Sequence, residues 1–339
     1  MKGKMNYKKA GVDISAGEKA VELIKPLAKS TFSKNVVMDI GSFGALFKLD
    51  LSKWKQPILA SSTDSVGSKV QVANLAQKWD TVGQDIVNHC VNDILTQGAF
   101  PLFFLDYIGI GKVIPQHVEK IMKGLSLACR ENDCALIGGE LAEMPSLYQK
   151  DDFDLVGTII GCVDEENAIS GKTISDSDVL LGFSSTGLHT NGYTLARKIV
   201  FDLLKLKPDS YINELGKTIA EALLAVHRSY YPILKPFIDK RIIKGLAHIT
   251  GGGIPGNLKR IIPGGMSAIV KKTSWEVPSL FNFLQQEGRV DEDEMYRAFN
   301  MGIGMIAVVN KLEANTILEQ TDAHVIGTII KGVQKVVII

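Results

Sequence analysis

Residues 57–73, PILASSTDSVGSKVQVA, pass from an apolar run into small hydroxylated residues and then into a second apolar segment. The stretch places an acid, Asp64, and a base, Lys69, around the single glycine Gly67. It resembles a phosphate-binding loop, but a P-loop requires G-x-x-x-x-G-K-[ST], and here Ser62 stands five positions before Gly67. The stretch therefore predicts a strand that ends in a charged loop, without the spacing of a P-loop.

The composition indicates a globular protein with balanced charge. The chain has 339 residues, 45% of them apolar and 22% charged, which is enough for two domains with their own cores. Lysine plus arginine (38) nearly balance aspartate plus glutamate (37), which argues against nucleic acid or an anionic membrane as a partner. The N-terminus lacks the apolar core of a secretory signal, and the strongest apolar runs are about half the roughly 20 residues of a membrane span. We therefore expect a cytoplasmic protein.

The cysteine pattern predicts free thiols. Cys90, Cys129, Cys134 and Cys162 show no C-x-x-C spacing, so they fit neither a metal site nor a disulfide framework. Buried, reduced cysteines are usual in a cytoplasmic protein.

Apolar periodicity predicts alternating strands and helices in both halves of the chain. The predicted strands are 57–62, 102–110, 135–138, 155–163, 179–184, 244–249, 266–272, 302–309, 325–330 and 335–339. The predicted helices are 17–29, 81–97, 116–131, 193–205, 214–227, 277–287 and 312–320. The polar, turn-rich segment 165–178 separates the halves. We therefore predict an α/β (α+β) chain of two domains, residues 1–168 and 169–339.

The helix predicted at 81–97 has an unusual polar face. It carries no lysine, arginine or glutamate there, but a set of poor helix formers: Asp85, Asn88, His89, Asn92 and Asp93. Helix stability does not explain this choice, and acids near helix ends are natural Mg²⁺ ligands. One interpretation is a functional, metal-binding face; the other is a polar face satisfied by neighbouring backbone.

A further acid follows a predicted strand. In CALIGGELAEMP, residues 134–145, a short apolar strand ends at Gly138 and Gly139 and then presents Glu140. An open α/β sheet places ligand-binding carboxylates at this edge, although a loop with a capping acid has the same appearance.

Two glycine-rich turns between a strand and a helix have the character of anion sites. The first contains His189 just before Asn191 and Gly192, and a histidine there can donate a hydrogen bond or a proton near neutral pH. The second has three consecutive glycines, 251–253, which let the backbone approach a ligand closely. The alternatives without a functional role are a structural histidine in the first turn and a flexible second turn.

No nucleophile constellation accompanies these features. The sequence contains no Ser-His-Asp elbow, no H-E-x-x-H and no G-x-G-x-x-G after a strand. Acids for Mg²⁺, a lysine and glycine-rich loops favour phosphoryl transfer, in which positioning and charge neutralisation provide most of the catalysis.

Nine segments occur in an order that is typical of one enzyme family. From residue 7 to residue 305 they are YKKAGVDISAGEKAVELIK, GSFGALF, TDSVGSK, CVNDILTQGAFPLFFLDYIGIGK, LIGGELAEMP, DFDLVGTIIG, GLHTNGYTLARKI, HITGGG and EMYRAFNMGIGM. The chain resembles the phosphoribosylformylglycinamidine cyclo-ligase family, the aminoimidazole ribonucleotide synthetases of purine biosynthesis.

This resemblance implies an ATP-dependent ring closure. ATP would phosphorylate the formamide oxygen of formylglycinamidine ribonucleotide to an iminophosphate. The amidine-side nitrogen would then attack the activated carbon, and phosphate would leave as aminoimidazole ribonucleotide forms. The resemblance also implies Mg²⁺ and a homodimer in which the amino-terminal mixed sheets join into a barrel. The substrate cleft would lie between that barrel and the C-terminal α/β domain.

The resemblance further implies roles for individual residues. Asp64, Asp93 and Glu140 would hold Mg²⁺. The implied ATP and phosphate contacts are Asp64, Gly67, Ser68, Lys69, Asn92, Gly138 and Gly139. The implied substrate contacts are Thr190, Asn191, Gly192, Thr250, Gly251, Gly252 and Gly253. The candidate catalytic residues are Lys69, which would neutralise phosphate charge, and His189 and His248, for orientation or proton transfer.

Two alternatives stand beside the cyclo-ligase. One is another ATP-using enzyme of the same superfamily, such as selenophosphate synthetase, thiamine-phosphate kinase or a hydrogenase-maturation protein; a reactive N-terminal cysteine would favour the selenium enzyme, and none precedes Cys90. The other is a non-catalytic nucleotide-binding protein, supported only by serines at family glycine or threonine positions: Ser42, Ser65 and Ser68. Serine at 65 matters only if that position requires positive φ.

Overall fold

The first half of the chain forms a four-stranded sheet with helices packed against it. The computed structural model describes residues 5–38 and 40–339. The elements of the first half are α1 (Ile14–Lys29), β1 (Pro57–Ser65), α2 (Lys69–Ala76), α3 (Asp80–Leu95), β2 (Phe100–Ile110), α4 (Pro115–Glu131), β3 (Ala135–Glu143) and β4 (Phe153–Asp164). The strand order is β1–β4–β2–β3, antiparallel except for the parallel pair β2–β3.

Helices α3 and α4 pack on each other, and α3 also lies on β1 and β4, so its polar face is held near the end of β1. The outer strand β1 leaves the apolar side chains Ile58 and Leu59 exposed at 43% and 62%. Pairing of this sheet with that of a second copy stays a prediction.

The second half forms a six-stranded sheet. Its elements are β5 (Val179–Ser184), α5 (Tyr193–Arg197), β6 (Tyr211–Ile212), β7 (Lys217–Thr218), α6 (Ile219–Leu223), α7 (Tyr231–Asp239), β8 (Ile243–His248), α8 (Gly253–Leu258), β9 (Met266–Val270), α9 (Ser279–Gly288), α10 (Glu292–Ala298), β10 (Ile303–Val309), α11 (Lys311–Leu318), β11 (His324–Lys331) and β12 (Val336–Ile338). The order is β12–β9–β11–β5–β10–β8, antiparallel except for β12–β9. Every residue of β10 is buried, as expected for its unbroken apolar run.

The ten predicted strands and the mixed α/β class are confirmed. The helix predicted over 214–227 is wrong in extent, because only α6 is helical there and Gly216 turns the chain with a positive φ of 63° between β6 and β7. The helix predicted over 193–205 begins correctly with α5 but continues as a π-helical turn, Lys198–Leu203. Helices α2, α7, α8 and α10 and the two-residue strands β6 and β7 were not among the predicted elements.

Two glycines allow α3 and α4 to cross closely. A Cβ on Gly83 would lie 2.1 Å from the carbonyl oxygen of Ile121, and a Cβ on Gly124 would lie 2.0 Å from that of Asp80. We expect Gly83→Ala to lower the free energy of unfolding by about 3 kcal/mol, because the two helices would have to separate within a packed core. Urea unfolding measures this loss.

Gly17→Ala is the matched control for this substitution. Gly17 lies in α1, and its added Cβ would meet nothing within 4 Å. It should stabilise the chain by about 0.5–1 kcal/mol through the unfolded state. A Gly83→Ala variant as stable as the wild type would contradict the close crossing.

No helix within residues 5–38 and 40–339 combines the length and the hydrophobicity of a membrane span.

Candidate active site

Asp64, near the end of β1, lies beside a buried histidine of α3. Its Oδ2 is 2.8 Å from His89 Nε2, and its Oδ1 accepts a hydrogen bond from the Ser65 N–H. The Asp64 side chain is 43% exposed, whereas that of His89 is 4% exposed. Burial raises the pKa of Asp64, but the hydrogen bond and charge of His89 outweigh it and leave that pKa below its ordinary value. Asp64 is therefore an ionised carboxylate that reaches solvent.

Asp93 lies one turn after His89 on the same side of α3. Its Oδ1 is 2.8 Å from His248 Nδ1, and its Oδ2 accepts a hydrogen bond of 2.9 Å from the Ser62 hydroxyl. His89 Nε2 lies 2.8 Å from Asp64 Oδ2 and 3.8 Å from Asp93 Oδ2, so the structure brings the two predicted metal-binding acids together.

The pKa of Asp93 leads to a pH-dependent stability. Burial alone would raise this pKa, but hydrogen bonds from His248 and Ser62 and the nearby charge of His89 lower it to about 2. A lowered carboxyl pKa stabilises the fold above the ordinary value of 3.8, and this stability is lost as the pH falls towards 2. We expect Asp93→Asn to be less stable than the wild type by about 2 kcal/mol near neutral pH, with the difference shrinking below about pH 4.

Urea unfolding of both proteins across this pH range tests the expectation. Asp176→Asn, which changes an exposed carboxylate, serves as the control and should show no such trend. If the wild type were more stable than Asp93→Asn by the same amount at every pH, the lowered pKa of Asp93 would not be the cause of the difference.

Four buried histidines meet beneath these carboxylates. Thr190 Oγ1 lies 2.7 Å from His89 Nδ1 and 3.4 Å from His227 Nδ1, and His227 Nε2 lies 3.1 Å from His248 Nε2. The ring of His189 stacks on that of His227, with centroids 4.0 Å apart. Burial lowers the pKa of His189, His227 and His248, so these rings are neutral near pH 7. Burial also opposes charge on His89, but its hydrogen bond to Asp64 prevails and raises the pKa.

Lys69 does not face this solvent-accessible surface. Its ammonium group is 2.8 Å from Asp85 Oδ2 and donates to the carbonyl oxygens of His189 (3.1 Å) and Ala225 (2.7 Å). The side chains of Lys69 and Asp85 are both 0% exposed. Burial lowers the pKa of Lys69 and raises that of Asp85. The expected contact of Lys69 with a nucleotide phosphate is therefore not available in this conformation, because its donors are already taken.

Some polar residues of α3 bond neighbouring backbone, and others face the carboxylate site, so each of the two interpretations of this face applies to part of it. Asp85, Asn88 and Asn92 bind the backbone of residues 227–230, which has no regular secondary structure before α7. The His227 N–H donates to Asp85, Asn88 donates to the His227 carbonyl, and Asn92 bonds the Arg228 carbonyl and the Tyr230 N–H. The phosphate contact expected of Asn92 is thus replaced by a structural one, while His89 and Asp93 face the carboxylate site.

The loop after β1 has free space around its glycine, Gly67. Gly67 has a φ of 66°, a Cβ added to it would meet nothing within 4 Å, and Ser68 Oγ lies 3.5 Å from Thr194 Oγ1 across the two halves. Ser65 ends β1 in extended conformation and is not among the residues with positive φ, so serine is accommodated there without strain.

Glu140 is not brought to the other two acids within one chain. It lies on β3, and two strands separate β3 from β1, which corresponds to roughly 14 Å at the usual strand spacing. Its neighbours Gly138 and Gly139 lie beside Asp106, whose pKa burial raises to about 7. Within one chain Glu140 thus lies apart from Asp64 and Asp93, and an ion shared by the three acids stays a prediction.

The two glycine-rich turns meet beside the histidines. A Cβ on Gly251 would lie 3.4 Å from Asn191 Oδ1, and Gly192 and Gly252 both have positive φ. Asn257 holds the second turn by donating to the carbonyls of Thr250, Gly251 and Gly253. Within the described residues, the buried Nδ2 of Asn191 has no hydrogen-bond partner. Thr190–Gly192 and Thr250–Gly253 thus form one polar surface with an unused donor.

The sequence did not single out three residues that organise this site. His227 occurs in no motif, and Asp85 and His89 were noted only as part of the polar helix face. Their roles depend on partners more than 100 positions away, His227 for Asp85 and Thr190 for His89. The absence of good helix formers on the polar face of α3 was the only sequence signal for Asp85 and His89, and no sequence signal indicated His227.

The sequence that forms these two sheets matches one protein family along most of its length. The model of AIR synthase related protein, N-terminal domain, matches residues 48–163, and that of AIR synthase related protein, C-terminal domain, matches residues 175–339. The chain belongs to the AIR synthase family.

Relatives of this AIR synthase family chain extend over its full length. A phosphoribosylformylglycinamidine cyclo-ligase of Thermodesulfovibrio yellowstonii is 48% identical over 333 residues, which are 97% of this chain and 97% of the relative. The enzyme of the same name from Alkaliphilus metalliredigens is 44% identical over 340 residues, 99% of this chain and 98% of the relative.

Solved structures share the fold of this AIR synthase family chain at much lower identity. Thiamine-monophosphate kinase from Stenotrophomonas maltophilia K279a has a TM-score of 0.69 at 15% identity and covers 94% of this chain and 95% of its own. The hydrogenase maturation protein HypE in complex with ATP has a TM-score of 0.66 at 18% identity and covers 94% and 90%. These likenesses show the fold alone.

Proposed function

We propose that this chain is a phosphoribosylformylglycinamidine cyclo-ligase. It would close formylglycinamidine ribonucleotide to aminoimidazole ribonucleotide, with release of ADP and phosphate, in purine biosynthesis. The observation that carries the proposal is the 48% identity to a cyclo-ligase over 97% of both chains. The enzyme is a ligase that forms a C–N bond and uses ATP as its phosphoryl donor.

Asp64 and Asp93 are the residues that would hold Mg²⁺. Both are ionised carboxylates, their side chains are 43% and 29% exposed, and oxygen ligands are what this ion requires. When bound, Mg²⁺ supplies charge neutralisation for the nucleotide phosphates. The chain itself fixes the direction of both acids, through His89 for Asp64 and through Ser62 and His248 for Asp93.

The joined turns would bind the ribonucleotide. The Nδ2 of Asn191 is a buried donor without a partner among the described residues, and an acceptor oxygen of the substrate would satisfy it. Among the candidate catalytic residues, His248 has both ring nitrogens engaged, by Asp93 and His227. His189 is neutral and its Nε2 accepts from the Thr186 N–H, so Nδ1 carries the ring proton; unpaired within the described part of the chain, it would donate a hydrogen bond that orients the substrate.

Lys69 would contribute by holding neighbouring backbone segments in place. Its bond to the carbonyl of His189 holds the first turn, and its bond to the carbonyl of Ala225 holds the segment after α6, against the start of α2. This placement aligns the substrate surface with the two acids, and its loss would disturb both.

The decisive experiment follows both products of one reaction. Purified protein is incubated with formylglycinamidine ribonucleotide, ATP and Mg²⁺, and ADP and aminoimidazole ribonucleotide are measured together. Equal appearance of the two supports the cyclo-ligase. ADP without the imidazole favours a related kinase of this fold, and neither product from folded, ATP-binding protein favours a non-catalytic nucleotide-binding protein.

We also propose a homodimer in the cytoplasm. The exposed Ile58 and Leu59 on the outer strand β1 give the first sheet an apolar edge that a second copy would cover. Light scattering at micromolar concentration gives the mass in solution, and a mass of one chain would refute the dimer.

A further inference from the structure

Two histidines and a carboxylate converge at the inner end of this site. His89 and Asp93 lie one turn apart on α3, and His248 ends β8. One ligand atom from each lies within 4.8 Å of the other two. We infer that His89, Asp93 and His248 bind a first-row transition-metal dication, a class of ion different from the Mg²⁺ of the proposed reaction.

The separations between these atoms suit such an ion. Neighbouring ligands of a tetrahedral zinc ion are about 3.3 Å apart when the metal–ligand bonds are roughly 2.0–2.1 Å. Asp93 Oδ1 lies 2.8 Å from His248 Nδ1, and Asp93 Oδ2 lies 3.8 Å from His89 Nε2. Asp93 presents a different oxygen to each histidine, so one oxygen would turn between the two rings; the ligand atoms of the three residues already lie within 4.8 Å of one another.

Each of the two histidine rings is already oriented by a partner on the nitrogen away from the ion, and Ser62 holds the Asp93 carboxylate at Oδ2, the oxygen that faces His89. His89 uses its other nitrogen, Nδ1, for Thr190 Oγ1 at 2.7 Å. His248 uses its other nitrogen, Nε2, for His227 at 3.1 Å, and the Asp93 carboxylate accepts from Ser62. Metal-binding histidines are characteristically fixed in this way, because the second hydrogen bond sets both the tautomer and the direction of the ring.

The chemistry of the ligands selects the class of ion. Imidazole nitrogens suit zinc, cobalt, nickel and iron, whereas Mg²⁺ demands oxygen ligands and retains its water. The rings of His89 and His248 are buried, but Asp93 is 29% exposed and Asp64 beside it 43% exposed. An ion can therefore enter from solvent on the carboxylate side, and a position is left for water or a further ligand.

A second group of three histidines lies nearby but is less suited to one ion. His189, His227 and His248 also have ring nitrogens within 4.8 Å of one another. However, the rings of His189 and His227 are stacked at 4.0 Å with an interplanar angle of 19°. Their in-plane lone pairs are therefore nearly parallel and do not converge, which leaves His227 as the residue that orients His248.

Cobalt is the probe that tests the site directly. Full-length protein without an affinity tag is stripped of metal and titrated with Co²⁺ in the absence of nucleotide, and the visible absorption of bound Co²⁺ is followed. We expect one ion per chain, displaced by Zn²⁺ and retained in millimolar Mg²⁺. His89→Gln should weaken binding at least about 100-fold, and Thr190→Val about 10- to 100-fold by releasing the ring of His89.

His324→Gln is the matched control, since His324 is exposed on β11, and its affinity should equal that of the wild type. Circular dichroism confirms that each variant is folded. Wild-type affinity in His89→Gln, or binding lost in His189→Gln but not in His89→Gln, would overturn the assignment. Although the site shares Asp93 with the proposed Mg²⁺ pair, the Co²⁺ titration needs no catalysis. A failure here is therefore distinguishable from a failure to form aminoimidazole ribonucleotide.

Discussion

Lys69→Met is expected to lower the free energy of unfolding by about 3–5 kcal/mol and to abolish turnover. The substitution leaves the carboxylate of Asp85 without its cation at a position that is 0% exposed. It also removes the donor to the buried carbonyl of His189, which is then left without that partner, and the donor to the part-buried carbonyl of Ala225. Urea unfolding and the two-product assay measure the two losses.

A second variant separates charge from packing. Lys69→Met combined with Asp85→Asn removes both charges, and the amide oxygen that replaces the carboxylate would still accept the His227 N–H. We expect the double variant to regain at least about half of the lost stability without regaining activity, because a neutral buried pair avoids the desolvation penalty.

Lys235→Met is the control for removing a lysine. Lys235 pairs with Asp239 on the exposed surface of α7, where the two side chains are 39% and 52% exposed. The Lys235→Met substitution should therefore lower the free energy of unfolding by less than about 1 kcal/mol. A Lys69→Met variant as stable as Lys235→Met would show that the buried pair is not formed.

Asp64→Asn is expected to reduce the rate of aminoimidazole ribonucleotide formation by about 100- to 1,000-fold while the chain stays folded. The carboxylate is half of the proposed Mg²⁺ pair, and loss of one such electrostatic contact typically has this magnitude. The fold should persist, because the amide oxygen of the new side chain can still accept from the Ser65 N–H and the position is 43% exposed. Initial rates of ADP and imidazole formation measure the effect.

Asp176→Asn provides the comparison, since this exposed carboxylate lies in the segment that links the two sheets. Its rates should equal those of the wild type. An Asp64→Asn enzyme within about twofold of the wild type would remove Asp64 from the metal pair and weaken the site proposed here.

Ten strands were predictable because their largely apolar runs are visible in the local sequence, whereas the two-residue strands β6 and β7 have no such run. The conformation of residues 227–230 was not predictable, because their backbone is bonded by side chains of α3 more than 100 positions earlier. A sequence pattern cannot distinguish an asparagine that holds a loop from one that binds a phosphate, and the side chain of Asn92, predicted to bind phosphate, bonds the backbone of this loop.

The candidate site was predictable only in part, because some of its side chains are directed by partners that are distant in the sequence. The acids Asp64 and Asp93 stand at the ends of regular elements, where ligand-binding carboxylates are common, and the structure brings them together. Lys69 follows a loop that looks like a phosphate loop, but its direction depends on Asp85 and on two carbonyls of the other half. Glu140 has a similar local sequence but lies apart from these acids within one chain, and only sheet order reveals this.

The burial of Lys69 has a consequence for how the molecule can move. Its amine is anchored to α3 in one half of the chain and to two carbonyls in the other, so a hinge opening between the halves would strip an ammonium group of its acceptors. Such an opening would cost free energy, so the two sheets should behave as a single rigid body on the timescale of ligand exchange. Ligands would then enter and leave through the solvent-exposed side of Asp64 and the two glycine-rich turns, and amide hydrogen exchange of residues 185–192 should be faster than that of α3.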